Sequence, residues 1–166
     1  MTGEAALRWS VRLAVGLWLL KAALELRRRG RPPSAAEAAA HAAGCVAYLV
    51  HVWTAFAFRH VWSHAAAAAH TAAETRRVVG FDAAWGVWVN YAFTLLWAAD
   101  AARVAAAWLR GRVTGRAADR VVFWAFAFIV FQSTVVFGGD GWRWAGVGLL
   151  AAWAVLRCRI WRTGRK

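Results

Sequence analysis

Four side chains able to bind a metal ion stand in one short stretch, R-H-V-W-S-H-A-A-A-A-A-H-T-A-A-E: His60, His64, His70 and Glu74. His60 and His64 are four apart, which puts both imidazoles on one face of a helix. That H-x-x-x-H spacing can chelate a single ion. His70 and Glu74 repeat the spacing on another azimuth, so all four converge only if the chain bends between them. Asp82 could close the set from the start of the next helix. Zinc suits such nitrogen and oxygen ligands, with copper or iron as alternatives. The stretch lacks the glutamate of H-E-x-x-H, so the known metalloprotease pattern does not apply. A structural reading competes. Thr71 and Glu74 form T-x-x-E, a capping box that gives Glu74 a purely structural job and breaks the helix near His70. His70 would then complement a helix C-terminal dipole, and His60 and His64 would lie among lipid headgroups beside Trp62.

A second set of polar residues lies inside apolar runs. His51 and Asn90 are read near mid-depth of a hydrophobic segment, and Gln132, with Ser133 and Thr134 beside it, past the middle of another, towards the outside. Polar groups in hydrocarbon need partners, so His51, Asn90 and Gln132 are expected to face one another. They would serve either as a proton or small-solute path or as interhelical hydrogen bonds. A bis-histidine haem needs two histidines on facing helices. His51 is the one histidine read at mid-membrane depth, which leaves a haem ligated at the outer surface by His60 or His64, or one shared across a homodimer. Cys45 and Tyr48 lie on azimuths neighbouring His51 and read as packing. Asp100, Arg103 and Asp119 mark a basic boundary, where each acid is expected to pair with an arginine. No phosphate-binding glycine loop, dinucleotide fingerprint or nucleophile elbow is present, and no motif marks an enzyme.

The elements that must position these residues are membrane helices. The 166 residues are 61% hydrophobic, and the 13 Trp suit a bilayer interface. A net charge of +13 suggests nucleic acid at first sight. The basic residues, however, fall in short clusters between apolar runs, as juxtamembrane residues do, and form no basic helix face, so no nucleic-acid partner is expected. The fold expected is all-α, a multi-pass transmembrane bundle of about five helices near residues 9–26, 38–58, 83–99, 121–137 and 144–156, each judged against the roughly 20 apolar residues a span needs. Arg12, Lys21 and Glu25 interrupt the first, whose alternative is an interfacial helix and a four-span bundle. Lys21 and Glu25 are spaced to pair, and Arg12 to snorkel. Ser34 and Glu37 form S-x-x-E at the start of the second, after Pro32-Pro33. Asp82 is the expected N-cap of the third, and G-G-D-G from Gly138 to Gly141 a turn after the fourth. Trp142 and Arg157 would anchor the fifth.

Basic residues divide fourteen against five between alternate connections. One set is Arg27–Arg31, Arg103–Arg120 and Arg157–Lys166; the other is Arg8, Arg59, Arg76, Arg77 and Arg143. The positive-inside rule puts the C-terminus in the cytoplasm and the His60–Glu74 segment on the non-cytoplasmic side. The arginine and alanine bias suggests a bacterial cytoplasmic membrane. Cys45 and Cys158 would be reduced thiols near the cytoplasmic ends of their helices. The expected function is that of a non-enzymatic membrane subunit or scaffold, in contact with lipid, other membrane proteins or copies of itself. The alternatives are a zinc, copper, iron or haem protein with its histidine site on the outer face, and a small transporter or proton conductor.

Overall fold

The computed structural model describes residues 3–28, 30–133, 143–144, 146–148 and 151. The described residues are helical, with no strand. They form α1 (Gly3–Arg27), α2 (Ala35–Ala55), α3 (His64–Val79), α4 (Gly86–Leu109) and α5 (Arg116–Phe131), with a π-helical turn, Phe56–His60, continuing α2.

Local chemistry explains most of the boundaries. Ser34 caps α2, its hydroxyl accepting the Glu37 N–H at 3.1 Å, which satisfies one free amide of the first turn. The Glu37 carboxylate faces the Ser34 backbone N–H in return, as a capping box requires, and also accepts from Arg28 Nη1 at 3.1 Å. Beyond α2 the chain turns back at Val61 and Trp62, both left-handed at φ 47° and 58°. Ser63 then caps α3 by accepting the Ala66 N–H at 3.2 Å. The helix therefore breaks at 61–63 and not near His70. Thr71 is no cap: it lies inside α3, and its hydroxyl donates to the Ala67 carbonyl at 2.9 Å. Asp82 does not cap α4 either; it pairs with Arg76, and α4 starts four residues later.

α1 and α2 run antiparallel. Glu4 meets Arg59 at 2.9 Å at one end, and Arg28 meets Glu37 at the other. α4 crosses α2 where the packing is tightest. A Cβ added to Gly44 would lie 3.1 Å from the Trp97 ring and 3.3 Å from Leu17 Cβ, so only glycine lets the three helices approach this closely. α5 docks through Phe126, whose ring lies 5.2 Å from Trp18 on α1, and 4.8 Å from Phe93 and 4.7 Å from Trp97 on α4. These aromatics, with Ala14, Cys45, Tyr48 and Val122, form the core. α3 packs at the end of the bundle where α2 finishes and α4 begins.

Arg28 Nη2 donates to Thr114 Oγ1 at 2.6 Å, which joins the α1–α2 and α4–α5 turns at one end, here termed the basic end. The two basic connections thus lie on one side, as their alternation requires.

Among the described residues two helical stretches are long and apolar enough to cross a membrane, Ala35–His60 and Gly86–Leu109. α1, which carries Arg8, Arg12, Lys21 and Glu25, is not one of them, so the described residues hold two of the five expected spans. The segment expected to end at residue 99 runs on to Leu109 because Asp100 and Arg103 are paired inside the bundle and do not mark its edge. The ends of the expected fourth and fifth spans, the G-G-D-G turn, Arg157 and Cys158 lie outside the described residues.

Candidate functional site

The histidine stretch comes apart along the chain break. His64, first residue of α3, faces α4: its Nδ1 is 3.0 Å from the Tyr91 hydroxyl and its ring 5.2 Å from that of Trp88. His60 ends the π-helical turn and meets His70 instead, with ring centroids 5.4 Å apart. Glu74 accepts from Arg77 at 2.6 Å. The Arg77 guanidinium holds the Glu74 carboxyl below the usual carboxylate range, and Arg76 does the same for Asp82. The four expected ligands thus form one histidine pair and two separate contacts. Among the described residues no group of three His, Cys, Asp or Glu side chains is placed to hold a metal ion, so this donor set does not fit a closed zinc site or a three-ligand catalytic one.

The expected mid-membrane centre does not assemble either. His51 Nδ1 is 3.0 Å from the Leu7 carbonyl oxygen and 3.4 Å from Ser10 Oγ, both on α1. Asn90 is exposed on α4, and Gln132 is partly exposed just past α5. His51 therefore ties α2 to α1, and the three residues do not share a site.

The side chains that do converge are at the basic end, around a histidine the sequence reading passes over. His41 is 0% exposed, and its Nε2 donates to Asp100 Oδ2 at 2.8 Å across the α2–α4 contact. Arg103 Nε donates to the other oxygen, Asp100 Oδ1, at 2.8 Å, and Arg103 Nη2 donates to Asp119 Oδ1 at 2.7 Å. Asp119 Oδ2 accepts from Thr114 at 2.7 Å and from Arg28 at 3.2 Å. Arg28 completes the chain to Glu37, itself 1% exposed. Lys21 and Glu25 pair beside it at 2.7 Å on α1. The expected pairing of Asp100 and Asp119 with arginines is found, but within a continuous network that joins the end of α1 to α2, α4 and α5; the expected Lys21–Glu25 pair is found beside it.

Two features give this cluster chemical interest. Lys21, Arg28 and Arg103 face the carboxylates of Glu25, Glu37, Asp100 and Asp119. Cations are one short of carboxylates, so the cluster closes neutral when one proton sits on the His41–Asp100 pair or on Glu37, and a buried uncompensated charge is costly. In addition, His41 Nδ1 and Trp97 Nε1 are buried without a hydrogen-bond partner among the described residues. Their rings are stacked with centroids 6.2 Å apart. Unpaired buried polar atoms are rare and call for an explanation.

Glu37, His41, Gly44, Tyr48 and His51 follow one another at spacings of four, three, four and three, which aligns them on one face of α2. Trp97 lies over Gly44 in the middle of that stripe, touching the ring of His41 on one side and that of Tyr48, at 5.2 Å, on the other. The stripe could have been found from sequence: Asp100 is the only acid inside its apolar run, and His41 stands one helical turn beyond Glu37. No known protein family matches this chain, and no curated protein or solved structure is similar to it.

Proposed function

We propose that the chain is a small polytopic membrane protein whose working centre is the buried His41–Asp100 pair, a group that takes up and releases a proton as part of proton conduction or proton-coupled transport. The observation that carries this reading is the inversion of polarity. Leu95 is 72% exposed and Trp124 69%, while His41 and Asp100 are 0% and 3% exposed. A water-soluble domain hides the first kind of residue and exposes the second; a bundle in lipid does the reverse, and an ionisable residue inside it is a functional hypothesis by default. His41 lies about 9 Å into α2, six residues at 1.5 Å each, and Asp100 about 14 Å from the end of α4. Arg103, 29% exposed at its side chain, connects Asp100 to the basic surface. Tyr48 and His51 continue the polar stripe past Trp97 towards the far end. In this reading the basic end faces the cytoplasm of a bacterial cell and the α3 end the outside.

Proton flux into liposomes holding the purified protein tests the proposal. Flux above that of empty liposomes is expected for the wild type and its loss for His41→Gln, with a melting curve to show that the variant is folded. No wild-type flux would overturn the proposal. A non-enzymatic membrane subunit is the second reading. It is favoured by the complete pairing of the cluster, in which each charged side chain has a partner of opposite sign, as a device that fixes helix register requires. Co-purification of a stable membrane partner, with no flux, would select it.

A further inference from the structure

A groove of about 360 Å³ opens where α4 ends and α5 begins, at the basic end. Its floor is small and apolar, formed by Ala106, Ala107 and Ala118, and its rim carries Arg103, Arg110 and Arg112. Arg110 and Arg112 are exposed. The nearest carboxylates do not neutralise them: both oxygens of Asp100 and of Asp119 are taken by His41, Arg28, Arg103 and Thr114. Gly115, also in the groove, caps α5 without a side-chain hydrogen bond, so the first amides of a 16-residue helix point their partial positive charge at the same place. A Cβ added to Gly115 would meet nothing within 4 Å.

We propose that this groove binds the phosphate of an anionic phospholipid headgroup, with the acyl-glycerol part lying over the alanine floor. The chemistry of the rim, two guanidiniums with no carboxylate partner among the described residues beside the uncapped start of α5, selects a phosphate. The apolar floor selects a lipid over free phosphate, and the basic end is the one the positive-inside rule turns towards the anionic leaflet. The groove shares Arg103 with the His41–Asp100 cluster, but the phosphate contacts proposed here are those of Arg110 and Arg112, which lie outside that cluster.

The full chain, purified in neutral detergent and offered phosphatidylglycerol or phosphatidylcholine, is measured by native mass spectrometry. Preferential retention of phosphatidylglycerol is expected, falling on the order of tenfold in the double variant Arg110→Gln/Arg112→Gln and staying unchanged in Arg76→Gln/Arg77→Gln at the opposite end. Arg110→Lys/Arg112→Lys should retain most of the preference, and matched melting curves show that each variant is folded. Equal retention of the two lipids, or a double variant that binds as the wild type does, would overturn the proposal. Displacement of the lipid by millimolar inorganic phosphate at constant ionic strength would overturn its lipid source.

Discussion

At the basic end of the bundle, Glu37 and Asp100 are buried and Asp119 is partly so, and all three are bonded to Arg28, Arg103 and His41 in one chain of contacts. At the α3 end, His60, His64, His70 and Glu74 lie partly exposed among aromatic rings and close in sequence, yet they make separate, local contacts. Closeness in sequence did not bring these side chains together, whereas the buried network joins residues up to 91 positions apart. The difference is one of surroundings. A charge inside the bundle must be satisfied by other buried groups, so the helices assemble around it; a charge at an exposed end is satisfied by water or by its nearest neighbour and organises little.

Removing one acid from each end is the strongest way to break this comparison. Asp100→Ala leaves His41 buried without its carboxylate and removes one of the two partners of Arg103, and is expected to cost about 3–5 kcal/mol, read as a large fall in melting temperature in detergent. Gly44→Val drives a branched side chain into Trp97 and Leu17 and is expected to cost about 1–3 kcal/mol as over-packing; a variant as stable as the wild type would mean that α2 and α4 are not in close contact beside the cluster. Glu74→Ala, at the far end, removes only a surface pair and is expected to change stability by less than about 1 kcal/mol. A loss as large as that of Asp100→Ala would make the two ends equivalent.

Acid titration sharpens the contrast with the smallest effect. Arg77 and Arg76 hold Glu74 and Asp82 below the usual carboxylate range in the folded protein. A depressed folded-state pKa favours the folded form above the ordinary value, about 4, and that contribution disappears as pH falls through the depressed value. Amide protection factors at residues 74–82, taken relative to the intrinsic exchange rate at each pH, should therefore fall modestly on acidification below that range, before the core helices respond. An α3–α4 corner that tightens as the pH falls would contradict the pairing.

Much of the local structure was legible in the sequence. The S-x-x-E signal marked the start of α2, the spacing of Lys21 and Glu25 announced their pair, and the alternation of arginines put the α1–α2 and α4–α5 turns on one side. His41 was legible only as a polar residue one turn beyond Glu37; its significance depends on Asp100, 59 residues away, which no local spacing announces. The H-x-x-x-H reading of His60 and His64 assumed an unbroken helix. The left-handed pair at Val61 and Trp62 removes that premise, and neither residue type announces such a conformation. A charge in an apolar run usually marks a helix boundary; the burial of Asp100 reverses that inference.

The most direct test of the central claim compares the two ends in one assay. Proton flux is measured in liposomes carrying the wild type, His41→Gln, or His60→Ala/His64→Ala, each confirmed as folded by its melting curve. Flux that is lost in His41→Gln and kept in His60→Ala/His64→Ala is the predicted result. Flux that survives in His41→Gln and is lost in His60→Ala/His64→Ala would contradict the account and return the working site to the α3 end.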